Sequence, residues 1–117
     1  MILVVDDHKA QRELYVELLG GLGYEVVEAR DGIEAAEALE RQRPAAILLD
    51  LSMPRANGYD FLTRLRATPE HASVRVIVVS GTATGSWSLN AGADAFLMKP
   101  VGRGELTAAL RRIGLAA

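Results

Sequence analysis

Four short apolar runs each stop at a residue capable of chemistry. Ile2–Val5 ends at Asp6 and Asp7, Ala45–Leu49 at Asp50, Val76–Val79 at Ser80, and Ala95–Met98 at Lys99, with Pro100 following. Three carboxylates, a hydroxyl and an ammonium suit a divalent cation together with a phosphoryl group. A carboxylate such as Asp50 can attack phosphorus to give an acyl phosphate, and flanking acids can hold the cation that offsets repulsion between two anions. A lysine on a flexible stem can neutralise the carboxylate and then follow the phosphoryl oxygens. Taken singly, each residue has an ordinary explanation: Asp6, Asp7 and Asp50 cap a helix or turn, Ser80 ends a strand, and Lys99 is a surface charge. Taken together, three acids at one place repel one another unless a cation is present.

Convergence depends on the elements that carry these residues. Runs of four to five residues rich in Val, Ile and Leu read as strands buried on both faces of a parallel sheet. Parallel strands present the same end to the same edge, and open sheets of this kind place ligand sites at the carboxyl edge. Between the runs lie helical patterns. Residues 9–21 carry Ala10, Leu14, Leu18 and Leu22 at four-residue steps, expected to face inward, with Gly20, Gly21 and Gly23 ending the helix. Tyr24–Ala29 reads as a second strand. Asp31 caps a helix over 32–41 with Ile33, Ala36 and Leu39 inward, and Pro44 precedes the strand 45–50. A third helix spans 58–67 with Phe61, Leu62 and Leu65 on the sheet and Pro69 after it, and strand four covers 75–80. Strand five covers 94–98, and a last helix over 103–114 has Leu106, Ala109, Leu110 and Ile113 inward. Strict alternation implies right-handed crossovers and a doubly wound α/β sheet.

Composition agrees. The 117 residues suffice for one packed core and are too few for two, so a single domain over 1–117 is expected. A net charge of −2 without a Lys/Arg run offers no attraction for nucleic acid or anionic lipid, so direct binding to either is not expected. No cysteine is present, which excludes disulfides, thiolate metal sites and thiol catalysis. The first apolar run is too short for a signal sequence or a membrane span, so a soluble, cytoplasmic protein is expected.

Val5-Asp6-Asp7, then Leu49-Asp50-Leu51-Ser52-Met53-Pro54 with Gly58 following, then Val79-Ser80-Gly81, Gly92-Ala93-Asp94-Ala95-Phe96 and Lys99-Pro100 appear in that order along the chain. In this order and spacing they resemble the receiver domain of bacterial two-component response regulators, and the resemblance covers the whole chain. It implies a flavodoxin-like sheet of order 2-1-3-4-5 with five helices. It also implies a phosphorylation-dependent switch rather than an enzyme acting on external substrates. Asp50 would accept a phosphoryl group from a phosphohistidine donor with Mg²⁺ assistance, the donor being a histidine kinase or a histidine phosphotransfer protein. Asp7, Asp50 and the backbone carbonyl of Ser52 would ligate the metal, with Asp6 acting through a water. Ser80 would bond a phosphoryl oxygen, Phe96 would turn inward with it as the aromatic switch, and Lys99-Pro100 would be a cis peptide. Small residues at Ser52 and Thr82 imply no extreme protection of the phosphoryl group from water.

Only 18 residues separate Ser80 from Lys99, a few fewer than the resemblance leads one to expect. Trp87–Ala91 alone reads as helical there, with Gly92 as its C-cap, because the preceding stretch is rich in Gly, Ser and Thr. The face formed by the fourth helix, fifth strand and fifth helix, where an output domain or a second copy would dock, therefore has an unusual geometry. Trp87 is either a packing anchor or a partner contact, and His8 and His71 read as surface residues. Two rival readings differ in class. A phosphohydrolase with an aspartyl intermediate needs an acid two residues after the nucleophile, where Ser52 stands. A docking module with a vestigial acidic pocket would not need the full set of Asp6, Asp7, Asp50, Ser80 and Lys99.

Overall fold

The computed structural model describes residues 1–51, 57–81 and 92–115. Five strands, β1 (Ile2–Val5), β2 (Val26–Ala29), β3 (Ala46–Asp50), β4 (Arg75–Ser80) and β5 (Ala95–Met98), form one parallel sheet in the order β2-β1-β3-β4-β5. Every residue of β1 and β3 is buried, as unbroken apolar composition requires of strands covered on both faces. Four helices are described: α1 (Lys9–Gly21), α2 (Gly32–Arg41), α3 (Asn57–Ala67) and α4 (Arg103–Arg112). The further helix expected over Trp87–Ala91 lies outside the described residues, as do Ser52 and Thr82.

Side-chain alternation along the strands divides the core in two. Leu3, Val5, Ile47, Leu49, Val76 and Val78 pack under α2 and α3, while Ile2, Val4, Ala46, Leu48, Ile77 and Val79 pack under α1 and α4. Asp31 caps its helix as the sequence marks it, and a second cap, at the start of α4, is found in the structure. Asp31 Oδ1 accepts the Glu34 N–H at 2.8 Å at the start of α2, and Glu105 Oε2 accepts the Gly102 N–H at 2.6 Å at the start of α4.

Two expected helix faces are rotated. On α1 the buried residues are Tyr15 and Leu19, whereas Ala10 is exposed, Leu14 is 48% exposed, and Leu18 and Leu22 are only partly covered. The inward row is therefore 11, 15 and 19, one residue later than the Ala10-Leu14-Leu18-Leu22 row. A one-residue step turns a helix by about 100°, and the bulk of Tyr15 wins the core position. On α2, Ala35, Ala38 and Leu39 are buried, while Ala36 is exposed and Ile33 is 75% exposed. Ile33 lies in the first turn of the helix, shortly after β2 ends. The inward faces of α3 (Phe61, Leu62, Leu65) and α4 (Leu106, Ala109, Leu110, Ile113) are those the spacing predicts.

Arg66 ties the end of α3 to the approach to β5. Its Nε donates to the Gly92 carbonyl at 2.8 Å, one terminal nitrogen to the carbonyls of Ala72 and Val74 at 3.1 and 2.6 Å, and the other to Asp94 Oδ2 at 3.0 Å. The same Asp94 oxygen accepts the Val76 N–H at 2.8 Å, which pins the start of β5 beside β4. Gly92 lies against the Arg66 stem at φ +110°, a left-handed conformation that favours glycine.

Candidate functional site

Sheet register brings the acids together. Val5 of β1 pairs with Leu49 of β3, so Asp6 and Asp50, each one residue further on, leave neighbouring strands at the same level. Adjacent strands run about 4.8 Å apart, so these carboxylates meet at the carboxyl edge. Ser80 ends β4 one residue beyond the partner of Asp50, and its own partner on β5 is Met98, directly before Lys99. The Lys99 N–H donates to the Ser80 carbonyl at 2.8 Å, extending the ladder by one rung, and the Lys99–Pro100 peptide is cis.

Asp6 and Asp50 are almost wholly buried, at 0% and 1% exposure, and Ser80 is buried beside them in sequence register. Lys99 Nζ donates to Asp50 Oδ2 at 2.8 Å, a charge-assisted bond to a carboxylate with almost no access to water. Asp6 is served less well. Its Oδ1 accepts the His8 N–H at 2.8 Å, but its Oδ2 has no hydrogen-bond partner among the described residues. A bond from Asp6 to the adjacent Asp50 needs a proton on one of the two carboxyls, and with both ionised there is none to share. Burial, and after it the charge of Asp50, push the Asp6 carboxyl up to about 6, against the opposing pull of the His8 N–H. A buried, unpartnered carboxylate oxygen beside a second carboxylate is an unfavourable arrangement alone. A hard divalent cation taking oxygen ligands would relieve it, so the residues fit Mg²⁺.

Asp7 is exposed at the mouth of the site, and its Oδ1 lies 3.0 Å from His8 Nδ1. Ligand atoms of Asp6, Asp7 and His8 all fall within 4.8 Å of one another. His8 itself is exposed, whereas His71 is partly covered. Phe96 is half-buried and packs on the α2–α3 side of the sheet. Its strand partner is Val78, which precedes Ser80 by two residues and shares its face.

Three α1 residues at the site escaped the sequence reading. Gln11 Oε1 accepts from Lys99 Nζ at 3.0 Å. Tyr15 is buried beside Gln11 and has its ionisation pushed up by burial and by the charges of Asp50 and Asp6. Arg12 donates to the Asp6 carbonyl at 2.7 Å and to Glu28 Oε1 at 3.0 Å, fixing the loop that carries the acids against the end of β2. The available signal was the four-residue step from Gln11 through Tyr15 to Leu19, masked by the richer leucine row beside it.

Comparison with known proteins places these features in a family. A model of the response regulator receiver domain matches residues 2–111. Response regulator MprA of Mycobacterium leprae (strain TN) is 39% identical over 113 residues, covering 96% of this chain and 50% of that protein. The chain thus spans about half the length of such relatives. The receiver domain of sensor histidine kinase PA1611 from Pseudomonas aeruginosa PAO1, solved with a magnesium ion coordinated in its active site cleft, is 35% identical. It aligns with a TM-score of 0.85 over 97% of this chain and 96% of that one. Chemotaxis protein CheY4 of Vibrio cholerae is 27% identical, with a TM-score of 0.87 over 96% of each chain. With the 2-1-3-4-5 sheet and acids gathered at its carboxyl edge, these matches show that the chain belongs to the response regulator receiver domain family.

Proposed function

We propose that this chain is a phosphorylation-controlled switch whose phosphoacceptor is Asp50. The observation that carries the reading is the buried Asp6–Asp50 pair facing the Lys99 ammonium at 2.8 Å. That arrangement suits transfer of a phosphoryl group between two anionic partners.

An Asp50 oxygen forms a bond to phosphorus as the phosphorus–nitrogen bond of a phosphohistidine donor breaks, and the imidazole leaves as its nitrogen regains a proton. Lys99 starts on the Asp50 carboxylate and donates to phosphoryl oxygens once they arrive, its flexible stem covering the short move. Bound Mg²⁺, held by Asp7, Asp50 and the Ser52 carbonyl with Asp6 through a water, would supply positive charge against the phosphoryl oxygens. Ser80 donates its hydroxyl to a phosphoryl oxygen, and Phe96, on the same face of the sheet, responds to that bond. Hydrolysis returns the carboxylate and resets the switch.

The donor is a histidine kinase or a histidine phosphotransfer protein. The readout is an output domain or a second copy docking on the face that includes β5 and α4, with no direct contact to nucleic acid or membrane. Among the described residues no helix is long and apolar enough to cross a membrane. Intact-mass measurement after incubation with acetyl phosphate and Mg²⁺ tests the reading. One added phosphoryl group on the wild type and none on Asp50→Asn is expected. An unlabelled wild type, or undiminished labelling of Asp50→Asn, overturns it.

A further inference from the structure

The row of α1 that turns toward the site holds Gln11, Tyr15 and Leu19. Leu19 and Tyr15 are core residues, but Gln11, half-buried at the site end of the row, meets a charge. Its Oε1 accepts from Lys99 Nζ at 3.0 Å while the same ammonium donates to Asp50 Oδ2 at 2.8 Å. A carboxamide has one accepting and one donating end, and only the oxygen can face an ammonium. The buried Tyr15 phenol lies one turn further along the same row, beside Gln11. Flipping the amide would set its NH₂ against the Lys99 ammonium, so Lys99 fixes the orientation of Gln11.

We infer that Gln11 is a positioning residue for Lys99: a neutral second acceptor that holds the ammonium on the α1 side of Asp50 and so sets how it meets an arriving phosphoryl group. The inference rests on the reading of Asp50 as phosphoacceptor. Neutrality matters. A carboxylate at position 11 would compete with Asp50 for the lysine and repel the donor, while an apolar side chain would leave a four-carbon stem with more orientations to lose in the transition state. A carboxamide directs the ammonium without adding charge to a pocket that already holds Asp6 and Asp50.

The test is a double-mutant cycle read as the rate of phosphorylation of the whole chain by acetyl phosphate in Mg²⁺. Gln11→Met keeps length and volume, and should slow labelling about fivefold to tenfold in the wild-type background, the share of a hydrogen bond to a charged group felt in the transition state. In a Lys99→Ala background the same change should do nothing further. Equal slowing by Gln11→Met in both backgrounds would show a role in helix packing and overturn the inference, as would an unchanged rate in the wild-type background. The ¹⁵N resonance of the Lys99 ammonium reads the contact without any chemistry, and it should move in Gln11→Met. A wild type that takes no phosphoryl group would sink the phosphoacceptor reading, and an unmoved ammonium resonance would separately sink the role of Gln11.

Discussion

Replacing Asp6 with asparagine should make the metal-free protein more stable at neutral pH, although Asp6 is one of the most deeply placed acids of the site. Burial, reinforced by Asp50, raises its carboxyl from 3.8 to about 6. Each unit is worth about 1.4 kcal/mol, so an ionised Asp6 works against the folded state by at most roughly 3 kcal/mol near pH 7. The sign follows from proton binding. Between about pH 4 and pH 6 the folded protein holds a proton on Asp6 that the unfolded chain has released, so stability falls as pH rises through that window and levels off above it. Asparagine keeps the oxygen that accepts the His8 N–H and turns an NH₂ toward Asp50 in place of the unpartnered Oδ2. Urea unfolding in EDTA should show Asp6→Asn ahead by about 1–3 kcal/mol near pH 7.5, with the gap closing near pH 4. Adding Mg²⁺ should stabilise the wild type more than the variant, because a ligand that binds only the folded state adds its binding free energy to stability. A variant less stable than wild type near pH 7.5 without metal, or a gap independent of pH, would show that ionised Asp6 does not oppose folding.

Lys99→Met should cost about 3 kcal/mol in equilibrium unfolding, because it leaves the Asp50 carboxylate buried beside Asp6 without its cation, and adding Asp50→Asn should restore most of the loss. The rotated face of α1 predicts that Leu19→Ala costs about 3 kcal/mol while Leu14→Ala costs under about 1 kcal/mol; equal losses would contradict it. Arg66→Lys should lower stability by about 2 kcal/mol, since an ammonium cannot span the carbonyls of Gly92, Ala72 and Val74 and the Asp94 carboxylate as the guanidinium fork does. A thermal melt within experimental error of wild type would contradict that account.

The parts of the site legible in the sequence were those fixed by strands. Ile2–Val5 and Ile47–Leu49 are apolar without interruption because both faces of their strands are covered, and the first polar residue after each run marks the sheet edge. Asp6, Asp50, Ser80 and Lys99 could therefore be aligned by counting to the ends of the runs. Helix faces were harder to read. In α1 two rows at four-residue spacing compete, and the one richer in leucine only flanks the core, Leu18 and Leu22 packing at its margin and Leu14 exposed, because Tyr15 and Leu19 take the central place in the cluster with Val4 and Leu48. Gln11 was passed over because polarity at an inward position reads as exposure unless a charged partner from another element is known. Lys99 is that partner, and it lies 88 positions away along the chain. In α2, Ile33 has a core residue's type, yet the buried face is the one that carries Ala35, Ala38 and Leu39, and Ile33 is left exposed.

The most direct measurement is a crystal structure of the wild-type protein with Mg²⁺ and beryllofluoride, a mimic of the phosphoryl group. The expected result is beryllofluoride bonded through beryllium to an Asp50 oxygen with the Lys99 ammonium against its fluorides, and a metal held by Asp7, Asp50 and the Ser52 carbonyl with Asp6 through a water. Magnesium bound elsewhere, or an adduct on another residue with Asp50 and Lys99 still paired, would contradict it.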